Sequence, residues 1–241
     1  MISILPVYGL PEIAAGDELG AMISAAIQVV DGDVVVVAQK AVSKAEGRVL
    51  RLAEIEPSDE ARRRAGDSSD PRKLEAILRE TKRVVRSRNA LVIAETRHGF
   101  VCASAGVDQS NAPEAGMLVL LPLDADASAR RIRDEIRERS GADVAVVVSD
   151  SFGRPFRRGT TDVAIGVAGL APLLDLRGSA DRAGYVLSSS QVALADELAG
   201  AADLARGKAD GVPAVVIRGA AISGDGSAAE LVIPAERDLF R

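Results

Sequence analysis

Residues 90–105 read ALVIAETRHGFVCASA, and the fold class depends on how this stretch is connected. Two apolar runs, 90–95 and 100–105, flank Thr96, Arg97, His98 and Gly99. A polar four-residue connection ending in glycine predicts a hairpin loop and therefore an antiparallel pair. Elsewhere the chain alternates helical and extended patterns without a clear linker. A hairpin within such a chain argues against a simple doubly wound parallel sheet and predicts a mixed α/β (α+β) fold.

Upstream of the hairpin, residues 58–88 carry a largely helical pattern, broken by turn residues over 66–71, with Leu74, Ile77, Leu78 and Val84 as the main apolar positions. The dense charge on this segment reads as a solvated outer face. Further upstream, four consecutive valines make residues 33–39 a buried strand. Before it, Leu19, Met22, Ile23, Ala26 and Ile27 recur at helical spacing, and Asp17 is placed to cap that helix over 17–29. Downstream, residues 117–121 read as extended, 127–139 as a helix ended by Gly141, and 144–148 as extended. Ser188 or Ser190 is placed to cap a helix through 205, and 213–217 returns as a strand.

Composition narrows the class of function. The 241 residues are 47% hydrophobic and 27% charged, enough to bury one large core or two interlocked smaller ones. Aromatics are 2% and the net charge is −5, so stacking platforms and a cationic face for nucleic acid are both lacking. No run approaches the roughly 20 apolar residues that span a bilayer, and no secretory leader is evident at the N-terminus. The expected location is the cytoplasm. Cys102 is the single cysteine and lies in an apolar run, so it reads as a buried, inert thiol. His98 is the single histidine and reads as a turn residue, which leaves a zinc site without support.

Familiar phosphate-binding motifs fail. Residues 200–208, GAADLARGK, end like a P-loop, but the first glycine is misplaced and no hydroxyl residue follows Lys208. Residues 224–229, GDGSAA, leave too little chain to complete a dinucleotide-binding unit. Both read as turns. What remains are acidic residues at strand ends, Asp108 after 100–105 and Asp150 after 144–148. Such carboxylates suit a hard divalent ion that keeps waters and takes phosphate oxygens. They equally suit a helix cap or a turn. Residues 149–166, SDSFGRPFRRGTTDVAIG, add Arg154, Arg157 and Arg158, planar donors for phosphate or carboxylate oxygens or for surface ion pairs.

Five separated blocks carry a resemblance: LPVYGLPEI, DGDVVVVAQKAVSKAEGR, CASAGVDQSN, SDSFGRPFRRGTTDVAIG and ALADELAGAADLARGKADGVPAVVIRG. In this order, over nearly the whole chain, they resemble the coenzyme F420-0:L-glutamate ligases. The resemblance implies a fold of mixed and antiparallel sheets with flanking helices, neither Rossmann nor P-loop, as a single unit over 1–241. It implies a homodimer with active sites near its interface, in the stand-alone form without a nitroreductase-like second domain and hence without FMN. The implied substrates are coenzyme F420-0 and L-glutamate. GTP is the co-substrate, with two divalent ions (magnesium or manganese) and potassium as an optional further ion. The carboxylate of the phospholactyl arm would be activated as an acyl phosphate and displaced by the glutamate amine, giving GDP and phosphate.

Carried over by motif, Asp108 and Asp150 match metal-binding aspartates and Ser151 matches a threonine that contacts a second metal. Leu10, Pro11, Glu12 and Ile13 match a nucleotide-contacting loop, with Gln39, Lys44 and Asn111 as further GTP contacts. Gly207, Lys208, Ala209, Asp210 and Gly211 match a nucleotide-binding loop. Arg154, Arg157 and Arg158 are expected to act on phosphate or substrate in catalysis, and Asp162, Asp196 and Glu197 to serve as extra ligands or cation partners. A helix-face salt bridge is the simpler expectation for the last two. Three positions depart from the pattern: serine for threonine at Ser151, Gln39 for a small hydroxyl residue, and Arg206 for an apolar one. A related amide ligase on another carboxylate, or a silent nucleotide- or deazaflavin-binding module, stays open as an alternative.

Overall fold

Val34, Val35, Val36 and Val37 are no more than 1% exposed, because the strand they form is covered on both faces. In chain order the computed structural model, which describes residues 1–67, 69–207 and 210–239, begins with β1 (Ser3–Pro6), α1 (Leu19–Ala26), β2 (Val34–Ala38) and α2 (Gln39–Ala45). Next come β3 (Val49–Arg51), α3 (Asp59–Ala65), α4 (Pro71–Glu80), β4 (Thr81–Arg88), β5 (Leu91–Thr96), β6 (Val101–Ala103) and β7 (Met117–Val119). The chain continues through α5 (Ala125–Ser140), β8 (Ala145–Gly153), β9 (Thr160–Ala168), β10 (Leu174–Asp175), β11 (Gln191–Val192), α6 (Leu194–Arg206) and β12 (Ala214–Arg218).

The main sheet has five strands in the order β1-β12-β2-β8-β9. Only β2 and β8 pair in parallel, with Val34 opposite Ala145 and Ala38 opposite Ser149; the other pairings are antiparallel. Alternate side chains serve opposite faces. Val35, Val37, Val146 and Val148 join Leu19 and Ile23 of α1 and Ala129, Ile132 and Ile136 of α5. Val34, Val36 and Val147 join Leu198, Ala199 and Ala202 of α6 on the other face. A separate core gathers Leu74, Ile77, Val92, Ala94, Leu118 and Leu120 beneath the sheet β4-β5-β6 and the pair β3-β7.

The expected hairpin is present: β5 and β6 pair antiparallel, with Ala94 opposite Cys102. Other expectations need correction. The helical reading of 58–88 fails at its end, where 81–88 is β4, paired with β5. Helix α4 stops because Thr81 turns extended and its hydroxyl donates to the Ile77 carbonyl at 2.7 Å. A partner strand then overrides the periodic pattern. Asp17 does not cap α1: Glu18 stands at the cap without a side-chain bond, and Asp17 accepts from the Ala14 amide at 2.8 Å. Helix α6 begins only at Leu194, with Ala193 at its cap, so neither Ser188 nor Ser190 caps it. The helix expected through 205 is present and runs to Arg206, so the turn reading of the 200–208 motif fails for Gly200 to Arg206.

Candidate active site

The parallel pair β2–β8 leads into the polar residues. Strand β2 passes directly into α2, whose second residue is Lys40, and β8 runs beyond Val148 into Ser149, Asp150 and Ser151. The β8–β9 register shifts at Val148/Ser149, an irregularity of the kind that re-aims side chains near functional sites. Beyond it Asp150 pairs with Val163 and Ser151 with Asp162. Being consecutive on a strand, Asp150 and Ser151 point to opposite faces of the sheet.

On the face shared with α2, Asp150 meets the charges of Lys40 and Asp108. Burial pushes its carboxyl up to about 6; the Ser151 amide and Lys40 oppose this, and the charges of Asp162 and Asp108 add to it. Asp108 follows β6 and pairs its backbone with Val119. Its carboxylate accepts from Lys40 Nζ at 2.6 Å, Ser110 Oγ at 2.6 Å, and the Gln109 and Ser110 amides at 2.7 and 3.0 Å. Burial acts to raise Asp108, but Lys40 and both Ser110 donors outweigh it and hold this carboxylate below its ordinary range. Two aspartates around one ammonium thus sit in opposite electrostatic states. Cys102, on the neighbouring β6, has its thiol pushed up to about 12, first by burial and then by the charge of Asp150, so it is no nucleophile.

The α6 face holds a second polar cluster. Ser151 Oγ donates to Asp162 Oδ1 at 2.6 Å, and Ser149 Oγ donates to Asp162 Oδ2 at 2.9 Å. Arg206 Nη2 also donates to Asp162 Oδ2, and to Ser149 Oγ at 3.1 Å. Ser149, Asp162 and Arg206 are all buried. Asp162, expected as a ligand or cation partner, is therefore the partner of a buried arginine. Asp196 accepts from the Ala164 amide at 2.9 Å and so ties α6 to β9; its carboxyl is raised by burial.

Among the described residues no three His, Cys, Asp or Glu side chains gather into a full metal cage. The donors present are carboxylate and hydroxyl oxygens: Asp108 and Asp150 on one face of β8, Ser151 on the other. That set fits a hard divalent ion that retains waters and takes phosphate oxygens.

The remaining candidates are dispersed around these clusters. In the 10–13 loop Ile13 is buried in the core, while Glu12 Oε1 accepts from Lys44 Nζ at 2.5 Å. Gln39 is buried at the start of α2, its Nε2 donating to Ser43 Oγ at 2.6 Å and to the Leu120 carbonyl at 2.8 Å. That ties α2 to the end of β7 and turns the Gln39 amide inward. Asn111 holds a left-handed backbone with φ 54° in the turn after Asp108. Gly207 and Gly211 have φ of 61° and 66°, and a side chain at Gly207 would collide with that of Asp210. Lys208 and Ala209 lie outside the described residues. Arg154, Arg157 and Arg158 stand exposed at the tip of the β8–β9 hairpin, where Arg154 Nη2 donates to the Arg158 carbonyl at 3.0 Å. Among the described residues none of the three forms an ion pair.

Sequence reasoning missed Lys40, although it lies four residues before Lys44 and so on the same side of α2. It also missed the use of Arg206, since only folding brings the end of α6 against β9. His98 is in its turn, as expected, with Nε2 3.1 Å from the Leu123 carbonyl. No helix among the described residues is long and apolar enough to cross a membrane.

Comparison with known proteins agrees with the resemblance. Residues 9–219 match the family model described as F420-0:Gamma-glutamyl ligase. A "Coenzyme F420:L-glutamate ligase" of Methanothermobacter thermautotrophicus is 45% identical, the match covering 100% of this chain and 99% of the relative. Proteins of the same name from Methanopyrus kandleri and Methanocaldococcus jannaschii are 44% and 42% identical, over 100% and 96% of this chain and 98% and 94% of theirs.

Proposed function

The chain belongs to the F420-0:gamma-glutamyl ligase family, and from that membership we propose that it joins coenzyme F420-0 to L-glutamate at the expense of GTP. In the first step an oxygen of the phospholactyl carboxylate attacks the γ-phosphorus, and the bond to GDP breaks. In the second, the glutamate amine nitrogen attacks the acyl carbon, phosphate leaves, and the nitrogen loses a proton as the amide forms. Addition of further γ-glutamyl units would follow the same steps.

The difficulty of the first step is that one anion approaches another, so positive charge has to be in place beforehand. Lys40, held between Asp108 and Ser110 near Asp150, supplies one such charge. Lys44 supplies another next to the 10–13 loop, and the arginines of the hairpin tip have their guanidinium groups available to a phosphate or carboxylate. Magnesium or manganese, bound by Asp108 and Asp150 with a second ion at Ser151, would add charge neutralisation at the phosphates. Gly207 and Gly211 each hold a backbone conformation that other residues rarely adopt, which suits close approach to a nucleotide.

One observation carries this reading: Asp108, Asp150 and Lys40 converge where the two parallel strands end, the place at which open α/β sheets bind ligands. The test is incubation with GTP, Mn2+, L-glutamate and F420-0, followed by mass spectrometry. A product heavier by one or more glutamyl units, with matching GDP release, is expected. Nucleotide binding without a new amide would point to the silent binding module instead.

A further inference from the structure

The cluster of Ser149, Asp162 and Arg206 is buried and touches one member of the proposed site, Ser151. A hydroxyl has one proton and two lone pairs, and a carboxylate against a guanidinium accepts rather than donates. Ser151 Oγ must therefore be the donor to Asp162 Oδ1, which leaves both of its lone pairs directed away from Asp162. The other carboxylate oxygen, Oδ2, accepts from Ser149 and Arg206. With both oxygens engaged, Asp162 is restrained in its rotation. Arg206 itself is buried, yet its Nη1 has no hydrogen-bond partner. A buried ion pair with an orphaned donor is a poor way to stabilise a fold, since apolar side chains of similar volume often do better.

We infer that Asp162 and Arg206 are positioning residues: they hold the Ser151 hydroxyl with its proton turned inward and its lone pairs turned outward, as an oxygen donor to a cation. The inference rests on the proposed metal-dependent reading of Ser151. It predicts what happens when the carboxylate becomes an amide. In Asp162→Asn the single carbonyl oxygen goes to Arg206, and the NH2 group faces Ser151. The serine then accepts a hydrogen bond where it had donated, and its proton points toward the cation.

The experiment titrates Mn2+ into the GDP-bound protein and measures free Mn2+ by electron paramagnetic resonance. Asp162→Asn should weaken one Mn2+ site about tenfold or more, the usual effect of losing an outer partner of a metal ligand. Ser151→Ala should weaken the same site, and adding Asp162→Asn to it should cause no further loss, because the hydroxyl to be oriented is gone. Ser151→Thr should keep both the natural affinity and the sensitivity to Asp162→Asn. If Asp162→Asn fails to fold, Arg206→Lys carries the same test, since an ammonium keeps the charge without the planar grip on Asp162 and Ser149.

An effect of Asp162→Asn that persists in full in the Ser151→Ala background would overturn the inference, as would no effect at all. If amide formation and Mn2+ binding are normal in the natural chain and only this coupling is absent, the inference falls and the ligase reading stands. If the natural chain neither binds Mn2+ nor forms the amide, both fall.

Discussion

Asp150 and Ser151 are neighbours in the chain, yet the strand's two-residue period sends them into different surroundings. Asp150 faces Lys40 and Asp108, and its carboxyl is pushed up to about 6 by burial. Replacing it with asparagine removes a charge but no core volume. Amide formation by Asp150→Asn should fall by roughly 100-fold or more, the scale of losing one preorganised electrostatic group, with the circular dichroism spectrum unchanged. Stability should respond in the opposite direction. Between its unfolded value of 3.8 and about 6, the folded carboxyl holds a proton that the unfolded chain has released, so stability falls as pH rises through that window. Metal-free Asp150→Asn should therefore be about 1–2 kcal/mol more stable than the natural chain at pH 8, with partial solvent access keeping the gain below the full shift. The difference should vanish near pH 4. Denaturant unfolding at the two pH values checks both.

At the scale of elements, close contacts fix how helices lie on strands. A Cβ at Gly166 of β9 would lie 2.3 Å from the backbone carbon and oxygen of Ala125, the first residue of α5. Gly166→Ala should therefore destabilise by about 3 kcal/mol, the upper range for overpacking, read as a lower denaturant midpoint. The α3–α4 corner depends on a charge. Glu75 of α4 accepts from the Ser58 amide at 3.0 Å and from Arg79 Nε at 2.8 Å. Ser58 first, and Arg79 after it, hold the Glu75 carboxylate down to about 2. This stabilisation is complete above pH 4.5 and is lost as pH falls through about 2. Glu75→Gln should cost about 1 kcal/mol at pH 7, a charge-assisted hydrogen bond in part screened by solvent. The gap between the two proteins should narrow steadily as pH is lowered.

Across the whole molecule, the main sheet carries cores on both faces, whereas β4 lies at the edge of a three-stranded sheet with most of its residues partly or fully exposed. Hydrogen exchange should be slowest for the amides of β2, β8 and β12. Those of β4 should exchange on the order of 100-fold sooner, through local opening that leaves the main sheet closed. At this scale we also propose that the chain forms a homodimer. Phe156 on the hairpin tip and Tyr185 near the β10–β11 pair are 90% and 66% exposed, apolar surface of the kind an interface covers. Sedimentation equilibrium should give twice the 25.0 kDa chain mass.

Much of this protein was legible from its residues alone. Four valines in a row specify a strand buried on both sides, and ETRHGF between two apolar runs specifies a hairpin, because such information is local. The family, too, could be read from its blocks. Where the pattern was ambiguous, partners decided: residues 81–88 became a strand because β5 offers them a ladder, and Asp17 and Ser188 lost their expected caps to bonds and boundaries set elsewhere. Only the tertiary structure showed that Lys40 stands among the aspartates, that Asp150 and Ser151 face apart, and that Arg206 reaches Asp162 from the end of α6. Charge and hydrogen bonding act through distances in space, and residues far apart in the chain acquire those distances only when the sheet and its helices close together.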